Sequence, residues 1–202
     1  MKKFVPIVLA LCMVFTMSVT AFAAEVDTDG GAGSAPVYLS STEDGSIDGV
    51  PAATAMSVTV PTALPMAMSQ AGDVTTADNC RIINHSYGAV RVKSVTITAA
   101  NGWSLTAFGD KSTLAGEKVD SDKLGFAISI GGGQQAATDA SDSSAQMLIS
   151  TPIDGCYMSG IGNPAGSSVA VDYSAIVTPL SAPVTNANIA DVVFVIEWDT
   201  AA

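Results

Sequence analysis

The segment Val90-Arg91-Val92-Lys93-Ser94-Val95-Thr96-Ile97-Thr98 decides how the chain reads. Val90, Val92, Val95 and Ile97 are separated by charged and hydroxyl residues, so the period is close to two. That period describes a strand with one face in a core and one in water. Met56, Val58 and Val60 repeat the pattern. Outward from these two segments, further candidate strands lie at Leu64–Met68, Cys80–Asn84, Trp103–Phe108, Leu124–Ile130, Gln146–Ser150, Ser168–Thr178 and Val192–Trp198, about nine in all. Between them stand Gly72-Asp73, Ser86-Tyr87-Gly88, Asn101-Gly102, Gly131-Gly132-Gly133, Asp154-Gly155 and Gly162-Asn163-Pro164, the turn chemistry of antiparallel strands. No segment longer than a turn or two carries a helical period, and there is no internal repeat. Short strands at this spacing, rich in Val, Ile and Thr, predict an all-β fold, a β-sandwich or barrel, of which an antiparallel β-sandwich is the one expected. Pro61 and Pro65 cannot donate to a ladder, which predicts an edge or a bulged crossing there.

At 202 residues the chain is the size of one ordinary domain or two small ones, and one is expected. Hydrophobic residues make up 48% against 13% charged, which excludes a charged disordered chain and a coiled coil and requires a real core. Aspartate and glutamate outnumber lysine and arginine 19 to 8, so nucleic acid is not an expected partner.

The first residues have the layout of a secretory leader: Lys2-Lys3, an apolar run from Phe4 to Val19, and Ala21-Phe22-Ala23 ahead of Ala24-Glu25. The run is shorter than the roughly 20 residues of a spanning helix, so cleavage is expected rather than anchoring. A signal peptide over 1–23 makes the protein secreted and extracellular, with no membrane span after cleavage. Its loss leaves six basic residues against 19 acidic ones, a formal charge of −13. Residues 24–55 are Gly-, Ser- and Ala-rich and read as a flexible arm, with Val37-Tyr38-Leu39 as the one patch able to add a strand to a sheet. Residues 56–202 read as a single β-sandwich domain.

Cys12 leaves with the leader, and Cys80 and Cys156 remain. Two cysteines in an exported chain suggest a disulfide, which would close a loop of 76 residues and stabilise by roughly 4 kcal/mol. Catalytic material is sparse. The sole histidine, His85, sits in the turn-like run Asn84-His85-Ser86-Tyr87-Gly88; Ser86 and Ser104 lack a nucleophile-elbow context, and Cys80 is five residues from His85 along one strand end. Asp110, Glu117, Asp120 and Asp122 could supply a carboxylate pair or calcium ligands, as could Asp139 with Asp142, but Lys111, Lys118 and Lys123 are interspersed and no calcium-loop spacing is present. Gly131-Gly132-Gly133 and Gly160-Ile161-Gly162 lack the following helix of a phosphate loop and read as tight turns. Asn84-His85-Ser86 fits the N-glycosylation pattern, which recurs by chance. No enzyme, cofactor or metal site is expected.

Trp103 follows the Asn101-Gly102 turn and Trp198 closes the strand Val192–Trp198. Both suit core or strand-end packing, and either could offer an indole face to a sugar ring. Ser57-Val58-Thr59-Val60-Pro61-Thr62, Gly72-Asp73-Val74-Thr75-Thr76, Ile82-Ile83-Asn84, Val90–Thr98 and Asn101-Gly102-Trp103-Ser104-Leu105 together resemble the secreted WxL-domain proteins of Gram-positive bacteria. Trp103-Ser104-Leu105 fits the tripeptide, whereas the second such site of that family corresponds here to Trp198-Asp199-Thr200, without the leucine. The resemblance covers about residues 56–108 and 170–200. It implies an all-β domain held noncovalently on cell-wall peptidoglycan, with Trp103, Leu105 and Trp198 as candidate wall or glycan contacts and wall polymer or other surface proteins as partners. A looser resemblance, to camelysin- and TasA-type matrix fibre proteins, implies self-association through the N-terminal arm. A carboxylate-based hydrolase using the 110–122 loop is the remote third expectation.

Overall fold

The computed structural model describes residues 55–141 and 144–200. The expected leader, the arm with Val37, Tyr38 and Leu39, and Asp142 lie outside the described residues, Ala55 apart. The described chain forms β1 (Val58–Thr59), β2 (Met66–Met68), β3 (Val74–Thr76), β4 (Arg81–Asn84), β5 (Val90–Ala99), β6 (Ser104–Thr106), β7 (Lys123–Ile130), β8 (Ala136–Ala137), β9 (Ala145–Ile149), β10 (Tyr157–Met158), β11 (Ser168–Val177) and β12 (Ala190–Trp198). Two short 3-10 turns, Lys111–Thr113 and Pro164–Gly166, are the only helical elements among the described residues. None is long and apolar enough to cross a membrane.

The fold is all-β, as the alternation predicts. One sheet runs β1-β4-β11-β7-β6, with β8 also on β7; a second runs β10-β5-β12, with β9 also on β5; β2 and β3 form a separate hairpin. Both larger sheets contribute to one core: Val90, Val92, Val95 and Ile97 from β5 meet Ile82 of β4, Leu124, Phe126, Ile128 and Ile130 of β7, and Val171, Tyr173 and Ala175 of β11. Burial of inward residues on both sheets is the sandwich arrangement, and the apolar area removed from water is its main stabilisation. β1 is an edge strand, and Pro61 and Pro65 lie outside the strands, in the connection between β1 and β2.

Three details depart from the expected pattern. Strands number twelve rather than nine, because β3, β8 and β10 also pair. One pairing is parallel: Ser104, Leu105 and Thr106 lie beside Lys123, Leu124 and Gly125. Parallel neighbours need a crossover, and residues 107–122 provide it, carrying the Lys111–Thr113 turn and the buried Leu114. The third departure is inside β5. Val92 and Val95 are three residues apart, yet both are fully buried, which strict alternation forbids. The pairing with β12 steps from Val195 opposite Ser94 to Ile196 opposite Val92, leaving Lys93 without a partner residue on β12. This is a β-bulge, one extra residue that restores the inward phase. On the other edge, β9 slips by one residue beside the same Val95, from Ile149 to Met147.

The β2–β3 hairpin is fastened to the larger sheet by Tyr173. Its hydroxyl donates to the Pro65 carbonyl at 2.5 Å and accepts the Ala77 N–H at 3.2 Å, joining the two ends of the hairpin. The Thr76 hydroxyl donates to the Tyr173 carbonyl at 2.9 Å. The Tyr173 ring stacks on Phe126 at 6.0 Å. Burial pushes the phenol pKa up, so the hydroxyl stays protonated and available as a donor.

The bridge expected between Cys80 and Cys156 is not formed; both are free thiols. The two residues bond to different sheets. The Cys80 carbonyl accepts from Val171 of β11 in one sheet, and the Cys156 carbonyl accepts from Val92 of β5 in the other.

Candidate functional site

The two tryptophans are the residues that the sequence singles out. Trp103 is set by a tight turn in which its N–H donates to the Ala100 carbonyl at 3.0 Å. Asn101 and Gly102, the central residues, have φ of 52° and 87°, the positive pair that a type I′ turn requires. The turn is not a hairpin here, because it delivers the chain from β5 to the other sheet. In extended chain, residues two apart share a face, so Trp103 and Leu105 both turn toward the core. Leu105, inside β6, is buried; Trp103, just before the strand, packs against the core and stays half-exposed.

Trp198 is half-buried at the far end of β12, opposite Val90. Its ring lies over Gly88, where a Cβ would come within 3.0 Å of the indole Cζ3. That glycine is held in turn by Asn84, whose Nδ2 donates to the carbonyls of Gly88 and Ser159, both at 2.9 Å. Trp103 follows the C-terminal end of β5 while Trp198 pairs with its first residue, so the two indoles are separated by the length of that strand, roughly 30 Å. They do not form one platform. Leu105, expected among the wall contacts, is corrected by its burial to an internal anchor.

The remaining candidates are engaged structurally. The His85 ring meets the Thr59 hydroxyl at 3.0 Å rather than Cys80 or Ser86. Ser86 is fully buried, and its hydroxyl both accepts from the Ser57 N–H at 2.8 Å and donates to the Ser57 carbonyl at 3.2 Å, which pins the chain leading into β1. The Asn84 side chain is also buried, with its Oδ1 accepting from Ser86 N–H at 2.8 Å, so this amide is occupied rather than displayed. Ser104 is exposed on β6.

In the 110–122 loop the acids face different partners. Glu117 pairs with Lys123 at 2.8 Å, and Lys111 pairs with Asp73 on the hairpin tip. Asp120 accepts from the Ser181 hydroxyl and N–H, and these bonds hold its pKa below the usual carboxylate range. Asp139 accepts from the Ser141 N–H at 2.8 Å. Among the described residues no three His, Cys, Asp or Glu side chains group as a metal site would.

The glycine turns serve close packing. A Cβ on Gly133 would come within 1.9 Å of the Asp154 carbonyl oxygen, and one on Gly155, at φ 91°, within 2.1 Å of the Ile130 carbonyl oxygen. The 131–133 and 154–155 turns therefore touch backbone to backbone. An open depression beside β8 and β9, lined by Gln134, Gln135, Leu148 and Thr151 among others, carries no titratable side chain.

One charged group escapes a search by motif. On the outer face of the small sheet, Glu197 accepts from Arg91 Nε at 2.8 Å and sits 3.1 Å from Lys93 Nζ, while Arg91 also reaches Asp199 at 3.5 Å. Lys93 and then Arg91 hold the Glu197 pKa down. The signal is the outward phase of β5 and β12, readable once the strands are paired. No family model matches the chain, and no curated protein or solved structure matches it either.

Proposed function

We propose that this is a secreted, nonenzymatic surface protein that associates noncovalently with the peptidoglycan of a Gram-positive wall. The observation that supports the reading is the division of roles within Trp103-Ser104-Leu105. Leu105 anchors the segment in the core, and Trp103, at the end of the sheet, packs against that core and stays half-exposed. A chain with a formal charge of −11, more negative without its leader, is repelled by anionic wall polymers. Its affinity therefore comes from apolar and stacking contacts, which an indole face supplies to a sugar ring.

The test is co-sedimentation of the purified protein with isolated cell walls. Trp103→Ala should weaken pelleting. Trp198→Ala, at the other end of the sheet, should not. Both variants must first show a cooperative unfolding transition, because truncating a fully buried tryptophan costs about 3–5 kcal/mol and these two are half-buried. A folded Trp103→Ala protein that pellets like the parent overturns the reading.

A further inference from the structure

β8 belongs to the larger sheet through β7 and β9 to the smaller one through β5, so these two strands meet at the seam between the sheets, on the flank away from β12. A depression of about 290 Å³ opens there. Its floor is the flank of the core: Ile149 is buried in that core, and Ala136, Leu148 and Ile153 pack against it. Its rim carries Gln134, Gln135, Ser150 and Thr151, all exposed. The turns at 131–133 and 154–155, which directly precede Gln134 and directly follow Ile153, are locked together, since a Cβ on Gly131 would come within 2.5 Å of the Gly155 carbonyl oxygen. The Ser129 hydroxyl donates to the Gly133 carbonyl at 2.8 Å, and the Cys156 N–H donates to the Ile153 carbonyl at 3.1 Å. The walls are therefore fixed before anything binds, and a ligand is spared the cost of ordering them. Neighbouring polar side chains serve the backbone: the Thr138 hydroxyl accepts the Phe126 N–H at 2.9 Å, and the Gln146 carbonyl accepts the Asp139 N–H at 2.8 Å. Among the described residues no hydrogen bond engages the side chains of Gln134, Gln135, Ser150 or Thr151.

We propose that this depression holds one uncharged, N-acetylated sugar residue of a glycan. No side chain lining it is charged, in a chain of formal charge −11, so an ionic ligand finds no counter-charge there. Amides and hydroxyls both donate and accept, which matches the hydroxyls of a sugar. An acetamido group fits the combination of floor and rim: the aliphatic floor takes its methyl, while the glutamine amides match its N–H and carbonyl. The volume lies just under the roughly 300–1,000 Å³ of pockets for drug-sized ligands, so the depression takes a single ring rather than a length of chain. The choice of a glycan rests on the wall-binding reading, but the site is separate from Trp103: Ile149 lies opposite Val95, about 13 Å along β5 before the end that leads to Trp103.

The test uses the full secreted chain, isotope-labelled for amide chemical shifts, and soluble oligomers of N-acetylglucosamine, with glucose oligomers of the same length as the control. The N-acetylglucosamine oligomer should shift the amides of residues 134–136 and 148–153 with saturation, and the glucose oligomer should bind at least about tenfold more weakly, because it leaves the amide-matching groups unpaired. The double substitution Gln134→Ala with Gln135→Ala should raise the dissociation constant at least about fivefold. Thr151→Trp, which fills the depression, should abolish the shifts. All three positions are exposed, so the unfolding midpoint should be retained. Shifts scattered over the whole surface, equal binding of the two oligomers, or full affinity in folded Thr151→Trp overturns the proposal. Trp103→Ala separates this site from the wall-binding reading: it should lose pelleting and keep the sugar-dependent shifts. Shifts without pelleting of the parent protein overturn the wall reading alone, and pelleting without shifts at the depression overturns this proposal alone.

Discussion

Replacing Tyr173 by Phe removes one oxygen and keeps the ring. That oxygen makes two of the bonds at the mouth of the β2–β3 hairpin, to Pro65 and Ala77. A net hydrogen bond is worth about 0.5–1.5 kcal/mol, so the pair is worth about 1–3 kcal/mol. The Ala77 N–H retains a long bond to the Pro65 carbonyl at 3.4 Å, which recovers part of the loss. The expected cost is therefore about 1–2 kcal/mol, or about 2–8 °C in melting temperature for a domain of this size. Urea unfolding measures the first figure. Hydrogen exchange locates it, because the amides of Met66–Met68 and Val74–Thr76 should lose protection more than those of β5 or β7. The Phe126 contact survives in Tyr173→Phe, whereas Tyr173→Leu also removes the ring pair and should cost about 0.5–1.5 kcal/mol more. If Tyr173→Phe changes stability by less than about 0.3 kcal/mol and the hairpin amides exchange as before, the hydroxyl is not what fastens the hairpin.

Three further outcomes follow from the same packing. Cys156 is fully buried and its thiol pKa is raised by that burial, so in the native protein at pH 8 a thiol reagent should modify Cys80 first and Cys156 only after unfolding; equal labelling contradicts the placement. Gly155→Ala should cost at least about 2 kcal/mol, through positive φ and collision with the Ile130 carbonyl, while Gly162→Ala, with open space around it and no positive φ, should stay within about 1 kcal/mol by urea titration. The folded pKa of Glu197 is depressed, so its contribution is present above the unfolded carboxylate range and is lost as pH falls through the folded value; Glu197→Gln should flatten that acid limb, and an unchanged limb would assign the loss to other carboxylates.

The long strands were legible in the sequence because their side chains alternate: β5, β7, β11 and β12 lie within two residues of where the pattern puts them. The short ones were not, since nothing local creates them. Ala136–Ala137 has no strand propensity and pairs because β7 offers a free edge there. Val74–Thr76 carries a single large apolar residue and forms a strand in a hairpin that Tyr173 fastens from ninety-six residues away. Parallel pairing of β6 was hidden by the Asn101-Gly102 turn, which reads as a hairpin and acts as a passage between sheets. At the candidate site, the burial of Leu105 and the partial burial of Trp103 follow from two-residue periodicity and strand ends. The separation of Trp103 from Trp198 follows only once β12 is laid antiparallel against β5, a long-range pairing that no local window reports.

That pairing also sets the order in which the chain can acquire structure. The residues that β12 brings against β5 are separated by 91 to 108 positions, and the other edge of β5 waits for β9 and β10, while β4 and β7 wait for β11. A polypeptide made from its N-terminus therefore has every other ladder available by Val177 and leaves one edge of β5 unpaired until Ala190–Trp198 appears, and closing such large loops is slow. The topology thus leaves to the last the ladder with the largest loops to close, so the β5 edge that meets β12 is the part of the core that is sealed latest.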